Sequence, residues 1–256
     1  MNIAVCVKRV PNTEEADLSI ERDGKDISKD HLPFRLNDWD GYAVREAALL
    51  RDKHGGDVTV ITVGPEESKE VLTRCLAMGA DRALRIEEPK AADGRLIVET
   101  LFHVMKDRSF DLILTGVQTE DDNWAQVGVS LAQMLGFSHA SIVTDIDIVT
   151  DRVTVRRELE GGIDEVLNLA LPAVLTIQTG INEPGYVSLM DILDAEDKEI
   201  IDLDFREIGV PDVPPDTKVD AVFFPPVGKT AEILKGNPEE VAARLTEIVK
   251  KAAGRS

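Results

Sequence analysis

β-Rich segments alternate with amphipathic helical segments through the first 140 residues, an order that few folds accommodate. Compact β-branched runs typical of buried parallel strands occur at residues 3–7, 58–63, 83–86 and 111–116. Segments with the apolar spacing of helices occur at residues 40–53, 66–78, 93–106 and from the loop after 116 to about 135. This order predicts an α/β fold, a doubly wound and mostly parallel sheet with helices on both faces.

Ligands of such a sheet bind beyond the carboxyl ends of its strands. Three loops leave those ends, after Val7, after Val63 and after Thr115. Functional side chains are therefore expected in these three loops.

The pattern changes after residue 140. Strand-like runs follow in quick succession at residues 142–149, 153–157, 166–171 and 173–179. From about residue 184 the pattern thins, and residues 211–226 hold five of the twelve prolines before a last helix at 238–253, with Asn237 as its N-cap. We expect residues 1–184 to form an α/β domain and residues 185–256 to form an arm and helix that pack on a partner chain.

Charge and composition restrict the partners. The chain has 48 acidic and 29 basic residues, a formal charge of −19, which disfavours binding to nucleic acid or to an anionic membrane. Its most apolar stretch, residues 167–177, is too short to cross a bilayer. Lys8 and Arg9 follow the first apolar run, the reverse of a secretory signal. We expect a cytoplasmic protein without membrane insertion.

Motifs for catalysis or metal binding are missing from the sequence. No serine lies in a GxSxG turn, and no GxGxxG follows a strand. The two cysteines and four histidines have no zinc-ligand spacing. The sequence therefore predicts no catalytic residue and no metal site.

The strongest local signal is the segment 116–128, which follows a strand and opens a helix. Its amides, carboxylates and free backbone N–H groups suit a ribose and a phosphate, and Gly128 lets a ligand or a neighbouring strand approach closely. Alternatively, Asp121, Asp122 and Asn123 only cap the helix.

Two further loops contribute candidates. Asn37 is suited to an adenine edge, although Asp38 or Asp40 also reads as an ordinary N-cap, with Trp39 packed against the helix. Lys8 or Arg9 is placed to neutralise a phosphate, or else lies on a solvated surface. Both tryptophans of the chain, at 39 and 124, fall in these loops, which favours a shared pocket.

Longer sequence motifs extend beyond these three loops. They are VKRV at 7–10, NDWD at 37–40, AMGADR at 77–82, VRRELEGGIDE at 155–165, LPAVLT at 171–176 and NEPGYVSL at 182–189. From residue 1 to about 210 the chain resembles the beta subunit of electron transfer flavoproteins.

The resemblance implies an adenine-nucleotide alpha-hydrolase-like fold and a partner alpha subunit that holds most of the electron-transferring FAD. The beta chain would bind AMP or, in bifurcating members, a second FAD. The implied nucleotide-binding residues are Cys6, Asn37, Asp38, Trp39, Asp40, Val63, Asp121, Asp122, Asn123, Trp124, Ala125, Gln126, Val127, Gly128, Val129, Ser130, Leu131 and Ala132.

The resemblance also implies a recognition loop at about residues 186–196, with Leu189 as the residue that docks on a dehydrogenase electron donor. This chain departs from the family in having acidic residues where lysines are common, at positions 191, 194, 196 and 197. Opposite charge predicts a different and more basic donor surface. Asp38 and Trp39 also stand where proline and phenylalanine are usual.

The function expected is that of the beta subunit of a heterodimeric carrier, which takes electrons from dehydrogenases to a quinone oxidoreductase or another acceptor. We expect an electron-transfer protein rather than a self-contained enzyme, one that would oxidise NADH only within a bifurcating complex. The alternative is a stand-alone adenine-nucleotide-binding regulatory or stress protein, which accounts for the sheet but not for the motif at 155–165 or the proline-rich arm.

Overall fold

The computed structural model describes residues 1–14, 16–89, 93–211, 214–226, 228 and 231–254. The strands are β1 (Asn2–Cys6), β2 (Arg9–Pro11), β3 (Phe34–Leu36), β4 (Asp57–Gly64), β5 (Arg82–Glu87), β6 (Leu112–Gly116), β7 (Ser138–Val149), β8 (Arg152–Leu159), β9 (Ile163–Ala170), β10 (Ala173–Ile177) and β11 (Ile200–Leu203). The α-helices are α1 (Asp38–His54), α2 (Lys69–Ala77), α3 (Gly94–Met105), α4 (Val127–Leu135), α5 (Leu189–Glu196) and α6 (Pro238–Ala252).

Nine strands form one sheet in the order β11-β5-β4-β1-β6-β10-β7-β8-β9. Every pair from β11 to β7 is parallel, whereas β7, β8 and β9 pair antiparallel. Strand β1 lies between β4 and β6, and the chain runs outward from it in both directions, so the topological switch point is at β1. The predicted α/β fold with a mostly parallel sheet is confirmed.

Each face of the sheet buries its own layer of helices. Along β1, Ile3 and Val5 pack on the face covered by α1 and α2, while Ala4 and Cys6 pack on the face covered by α3 and α4. Alternate side chains point to opposite faces of a strand, and both sets are apolar here because both faces are covered. The helices thus lie on both sides of the sheet, as predicted.

The sequence analysis did not predict β2, β3, α5 or β11. Strands β2 and β3 form a small antiparallel pair between β1 and α1, and β11 adds a parallel edge strand beside β5. Strand β11 lies within an acidic run, and Ile201 and Asp202 are exposed. As an edge strand, β11 has a sheet neighbour on one side only, so its side chains are less buried and its hydrophobic pattern is weak.

The chain divides into two compact units, Met1–Ala221 and Val222–Ser256. The domain boundary expected after residue 184 lies inside the first unit, because β11 pairs with β5 and α5 packs on α2. In the described part of the second unit, α6 starts at the capping box that Asn237 forms with Glu240, and none of its residues is buried. Packing of the segment 185–256 on a partner chain stays a prediction.

Among the described residues, no helix is both long enough and apolar enough to cross a membrane.

Candidate functional site

A cavity of about 180 Å³ opens at the carboxyl ends of β1, β4 and β6, beside the switch point of the sheet. This is where an open α/β sheet binds its ligand. The lining residues are Cys6, Val7, Lys8, Asp40, Ile61, Val63, Glu88, Gly94, Ile97, Leu101, Thr115, Gly116, Val117, Gln118, Thr119, Asp122, Trp124, Ala125, Gln126, Val127 and Gly128.

One wall of the cavity is apolar. Cys6 and Ile61 come from the sheet, and Ile97 and Leu101 come from α3. Burial, together with the nearby carboxyl of Asp40, raises the pKa of the Cys6 thiol to about 12, so the thiol stays neutral and acts as part of the apolar wall. A wall of this kind accommodates a flat heterocycle such as a purine.

Another part of the lining is the start of α4. The N-cap position is held by Gln126, which makes no capping hydrogen bond through its side chain. The first backbone N–H groups of a helix have no partner within the helix, and together with the helix dipole they attract an anion. The alternative in which Asp121, Asp122 or Asn123 caps this helix is not what the structure shows.

Gly128 brings that helix end close to the sheet. A Cβ atom at this position would lie 2.5 Å from Cγ2 of Thr176 and 2.7 Å from Oγ1 of Thr115. Both threonines are buried in central strands. Of the two roles left open for this glycine, the structure therefore supports close approach of a helix to neighbouring strands.

The β6–α4 loop, residues 117–126, is fastened to the start of α1. Asn37 is fully buried, and its side-chain amide donates to the carbonyl of Gln118 at 3.0 Å and accepts from the N–H of Glu120 at 3.2 Å. The Asn37 side chain is thus occupied by the loop and does not line the cavity. Arg35 adds an ion pair with Glu120 at 3.0 Å.

Asp40 ties α1 to the ends of two strands. Its carboxylate accepts from the N–H of Lys8 at 2.8 Å and from the N–H of Gly116 at 3.0 Å. Burial raises its pKa to about 7, although both hydrogen bonds and the charge of Lys8 act in the opposite direction. Asp40 thus links α1 to the ends of β1 and β6 by hydrogen bonds, and it also lines the cavity.

Lys8 and Arg9 point in different directions. The ammonium of Lys8 is 2.8 Å from Asp121 and 2.7 Å from Asp122. Burial lowers the pKa of Lys8, but the two carboxylates outweigh it and raise that pKa above its ordinary value. Arg9 instead stacks on Phe34 at 3.6 Å and pairs with Glu70, outside the cavity lining.

Comparison with known proteins identifies the family. The model of the electron transfer flavoprotein domain matches residues 27–207. The chain is 35% identical over 265 residues to the electron transfer flavoprotein subunit beta of Methylophilus methylotrophus, covering 99% of this chain and all of that one. This chain belongs to the electron transfer flavoprotein family.

Two further relatives have the same extent. The electron transfer flavoprotein subunit beta of Bacillus subtilis is 36% identical over 99% of each chain. The caffeyl-CoA reductase-Etf complex subunit CarD of Acetobacterium woodii is 34% identical over 98% of each chain. The resemblance to beta subunits, inferred from the motifs, is therefore confirmed.

Only some of the nucleotide-binding residues implied by the family resemblance line the cavity of this electron transfer flavoprotein chain. Residues of that set that line the cavity are Cys6, Asp40, Val63, Asp122, Trp124, Ala125, Gln126, Val127 and Gly128. Residues that lie outside the lining are Asn37, Asp38, Trp39, Asp121, Asn123, Val129, Ser130, Leu131 and Ala132. Asn37 and Asp121 support the loop, and Leu131 and Ala132 are buried against the sheet.

The two tryptophans do not share the cavity. Trp124 lines it, whereas the indole N–H of Trp39 donates to the side chain of Gln178 at 2.9 Å. Helix α3 contributes lining residues that the sequence analysis did not identify, Gly94, Ile97 and Leu101. Their helical spacing alone is that of any buried face, so only the folded arrangement distinguishes them.

The lining of the cavity is apolar in one part and polar in another. It combines an apolar wall with a helix N-terminus, and Gly94 is packed so closely on Gln126 and Trp124 that a Cβ atom there would collide with both. An apolar surface together with free backbone N–H groups can hold a planar ring that carries an anionic group.

The segment expected to recognise an electron donor lies apart from the cavity lining. Ser188 and Asp191 form a capping box that starts α5, and the hydrogen bonds from Ser188 lower the pKa of Asp191. Leu189 is 69% exposed and Met190 is 65% exposed. Lys198 turns its ammonium back to the carbonyl of Leu76 at 3.3 Å, at the end of α2.

Proposed function

We propose that this chain is the beta subunit of a two-chain electron carrier and binds an adenine nucleotide in the cavity at the switch point of its sheet. The observation that carries the proposal is the meeting of an apolar wall and the start of α4 at the carboxyl ends of β1, β4 and β6. Membership of the electron transfer flavoprotein family supports the redox role.

In this proposal the chain supplies position and a protected pocket. A flavin, when bound to the complex, supplies the one- and two-electron chemistry. Ile61 and Ile97 would hold the purine, and the first N–H groups of α4, those of Val127 and Gly128, would hold the phosphate. An alpha subunit holds most of the electron-transferring FAD.

The nucleotide is AMP or a second FAD. One relative, CarD, is by name a subunit of a caffeyl-CoA reductase-Etf complex, and others are by name plain beta subunits. The proposal includes electron bifurcation only if the nucleotide is FAD, and then the complex would also take hydride from NADH. We also propose that the protein is located in the cytoplasm, where free buried thiols such as those of Cys6 and Cys75 stay reduced.

Nucleotide analysis of the purified complex tests the proposal. The chain is co-expressed with a candidate alpha subunit, the complex is denatured, and the released nucleotides are separated by chromatography. We expect two FAD per heterodimer, or one FAD and one AMP. A complex with a single FAD and no other adenine nucleotide, or a chain that stays monomeric and colourless with every candidate, would contradict the proposal.

A cavity-filling variant locates the nucleotide. Ile97→Trp places a larger ring in the apolar wall and should remove the nucleotide of this chain while the FAD of the alpha subunit remains. Leu49→Trp is the matched control, because Leu49 is 38% exposed on α1 and does not line the cavity. Equal nucleotide content in both variants would place the nucleotide elsewhere.

We further propose that the segment 186–196 docks on the electron donor. Its exposed apolar side chains, Leu189, Met190 and Leu193, are accompanied by exposed carboxylates. The carboxylates are Asp191, Asp194, Glu196 and Asp197. Exposed apolar side chains accompanied by carboxylates are complementary to a donor surface that has an apolar pocket and basic residues around it.

A further inference from the structure

The ammonium of Lys8 is the centre of a polar cluster at the cavity. It lies 2.8 Å from Asp121, 2.7 Å from Asp122 and 3.5 Å from Oγ1 of Thr119. An ammonium group has three N–H donors, and here three side chains of the β6–α4 loop are within reach of them. The donors of Lys8 are therefore directed to the loop.

This pairing makes Lys8 a poor phosphate ligand. Two carboxylates surround one ammonium, so the cluster as a whole carries negative charge. A phosphate that approached Lys8 would meet both carboxylates at short range, and like charges repel. The start of α4 offers backbone N–H groups as the other place for a phosphate.

The β6–α4 loop has a conformation that needs support. Asn123 has a φ of 53° and Ala125 a φ of 51°, in the left-handed region that residues with a Cβ atom seldom adopt. Such residues persist where the surrounding contacts hold them. Asp122 provides one of these contacts, because its carboxylate accepts from the N–H of Trp124 at 3.1 Å and from the hydroxyl of Thr119 at 2.9 Å.

We propose that Lys8 is a positioning residue, which fixes the β6–α4 loop around the adenosine part of the nucleotide and does not bind the phosphate. Lys8 holds Asp122, Asp122 holds the backbone at Trp124, and Trp124 and Ala125 line the cavity. The inference rests on the proposed function, in that the cavity must bind an adenine nucleotide. It assigns the phosphate to the start of α4.

Binding of adenosine and of AMP separates the two roles. The affinities of both compounds are measured by calorimetry on the full chain in complex with its alpha subunit, after removal of the bound nucleotide. Lys8→Met should weaken adenosine and AMP by the same factor, on the order of tenfold, and Lys8→Arg should restore most of the loss. Arg9→Met is the matched control and should leave both affinities unchanged, because Arg9 lies against Phe34.

A loss of AMP binding much larger than the loss of adenosine binding in Lys8→Met would make Lys8 a phosphate ligand and overturn the inference. Unchanged affinity for both compounds would overturn it as well. If neither compound binds to the unaltered complex, the proposed function itself fails, which is a distinct result.

A second variant covers the case in which Lys8→Met does not fold. Asp121→Asn combined with Asp122→Asn frees the ammonium and removes two negative charges near it. A positioning role predicts weaker adenosine binding, because the loop loses its ion pairs. A phosphate-binding role predicts unchanged adenosine binding and tighter AMP binding, and that outcome would refute the inference.

Discussion

Gly128→Ala is expected to destabilise the fold although alanine favours helices. The new Cβ atom would lie 2.5 Å from Cγ2 of Thr176 and 2.7 Å from Oγ1 of Thr115, well inside van der Waals contact. Both threonines are fixed in central strands, so α4 must move or the strands must shift. Overpacking of this kind costs about 1–3 kcal/mol, and helix propensity returns at most about 1 kcal/mol. With a cost in the middle of that range, about 2 kcal/mol, the net loss of unfolding free energy should be about 1 kcal/mol.

Gly41→Ala is the matched control. Gly41 lies in the first turns of α1, and a Cβ atom there would have Cδ2 of Leu36 as its nearest neighbour, at 3.9 Å, an ordinary contact. This variant should be unchanged or more stable by up to about 1 kcal/mol. The same chemical change in two helices thus gives opposite signs.

Urea unfolding of the full chain measures both variants, and a double-mutant cycle locates the collision. Thr176→Ser removes the Cγ2 atom nearest to the new methyl group and keeps the hydroxyl that accepts from the N–H of Ile142. In the cycle with Gly128→Ala it should recover about 1 kcal/mol. A Gly128→Ala protein as stable as the unaltered chain, or a cycle without coupling to Thr176, would refute the packing argument.

Two other predictions concern Asp40 and Leu189. Because the folded state raises the pKa of Asp40 to about 7, it binds the proton more tightly than the unfolded chain, so this group makes the protein less stable as the pH rises from about 4 to about 7. The difference in unfolding free energy between the unaltered chain and Asp40→Asn should change by up to about 4 kcal/mol over that range, and a difference independent of pH would disprove the buried carboxyl's role. Leu189→Ala should weaken association with the electron donor about tenfold and leave the nucleotide content unchanged, whereas Leu49→Ala should have no effect. Unaltered turnover of the donor by the Leu189→Ala variant would count against the docking segment. Association of the unaltered complex with the donor that does not change with salt concentration would count against it as well.

The sequence predicted the central architecture because its information is local. The apolar run at β1 and the helical spacing in α1 are each visible within about one helix length of sequence, and the alternation of such segments predicts a mostly parallel sheet. The same reasoning predicted a ligand site in the loops after β1, β4 and β6, and the cavity opens at the ends of these strands. Strand β11 was missed, since an edge strand with exposed Asp202 lacks a buried pattern.

Within the site, the residue types were predictable and their partners were not. The sequence analysis identified the carboxylates of the segment 116–128 as candidates for ligand binding, and the fold pairs Asp121 and Asp122 with Lys8 and Glu120 with Arg35. These partners are more than 80 residues apart in the chain, so no local pattern connects them.

The amino-acid sequence by itself indicated the family, most of the strands and helices of the first 180 residues, and the edge of the sheet at which the cavity opens, because periodicity and motifs are properties of neighbouring residues. Tertiary structure alone decided that Lys8 faces the loop while Arg9 faces away, that Asn37 is used as a support, and that α3 supplies part of the wall. The physical reason is that each of these facts depends on which elements pack side by side, and packing is fixed by the whole chain at once.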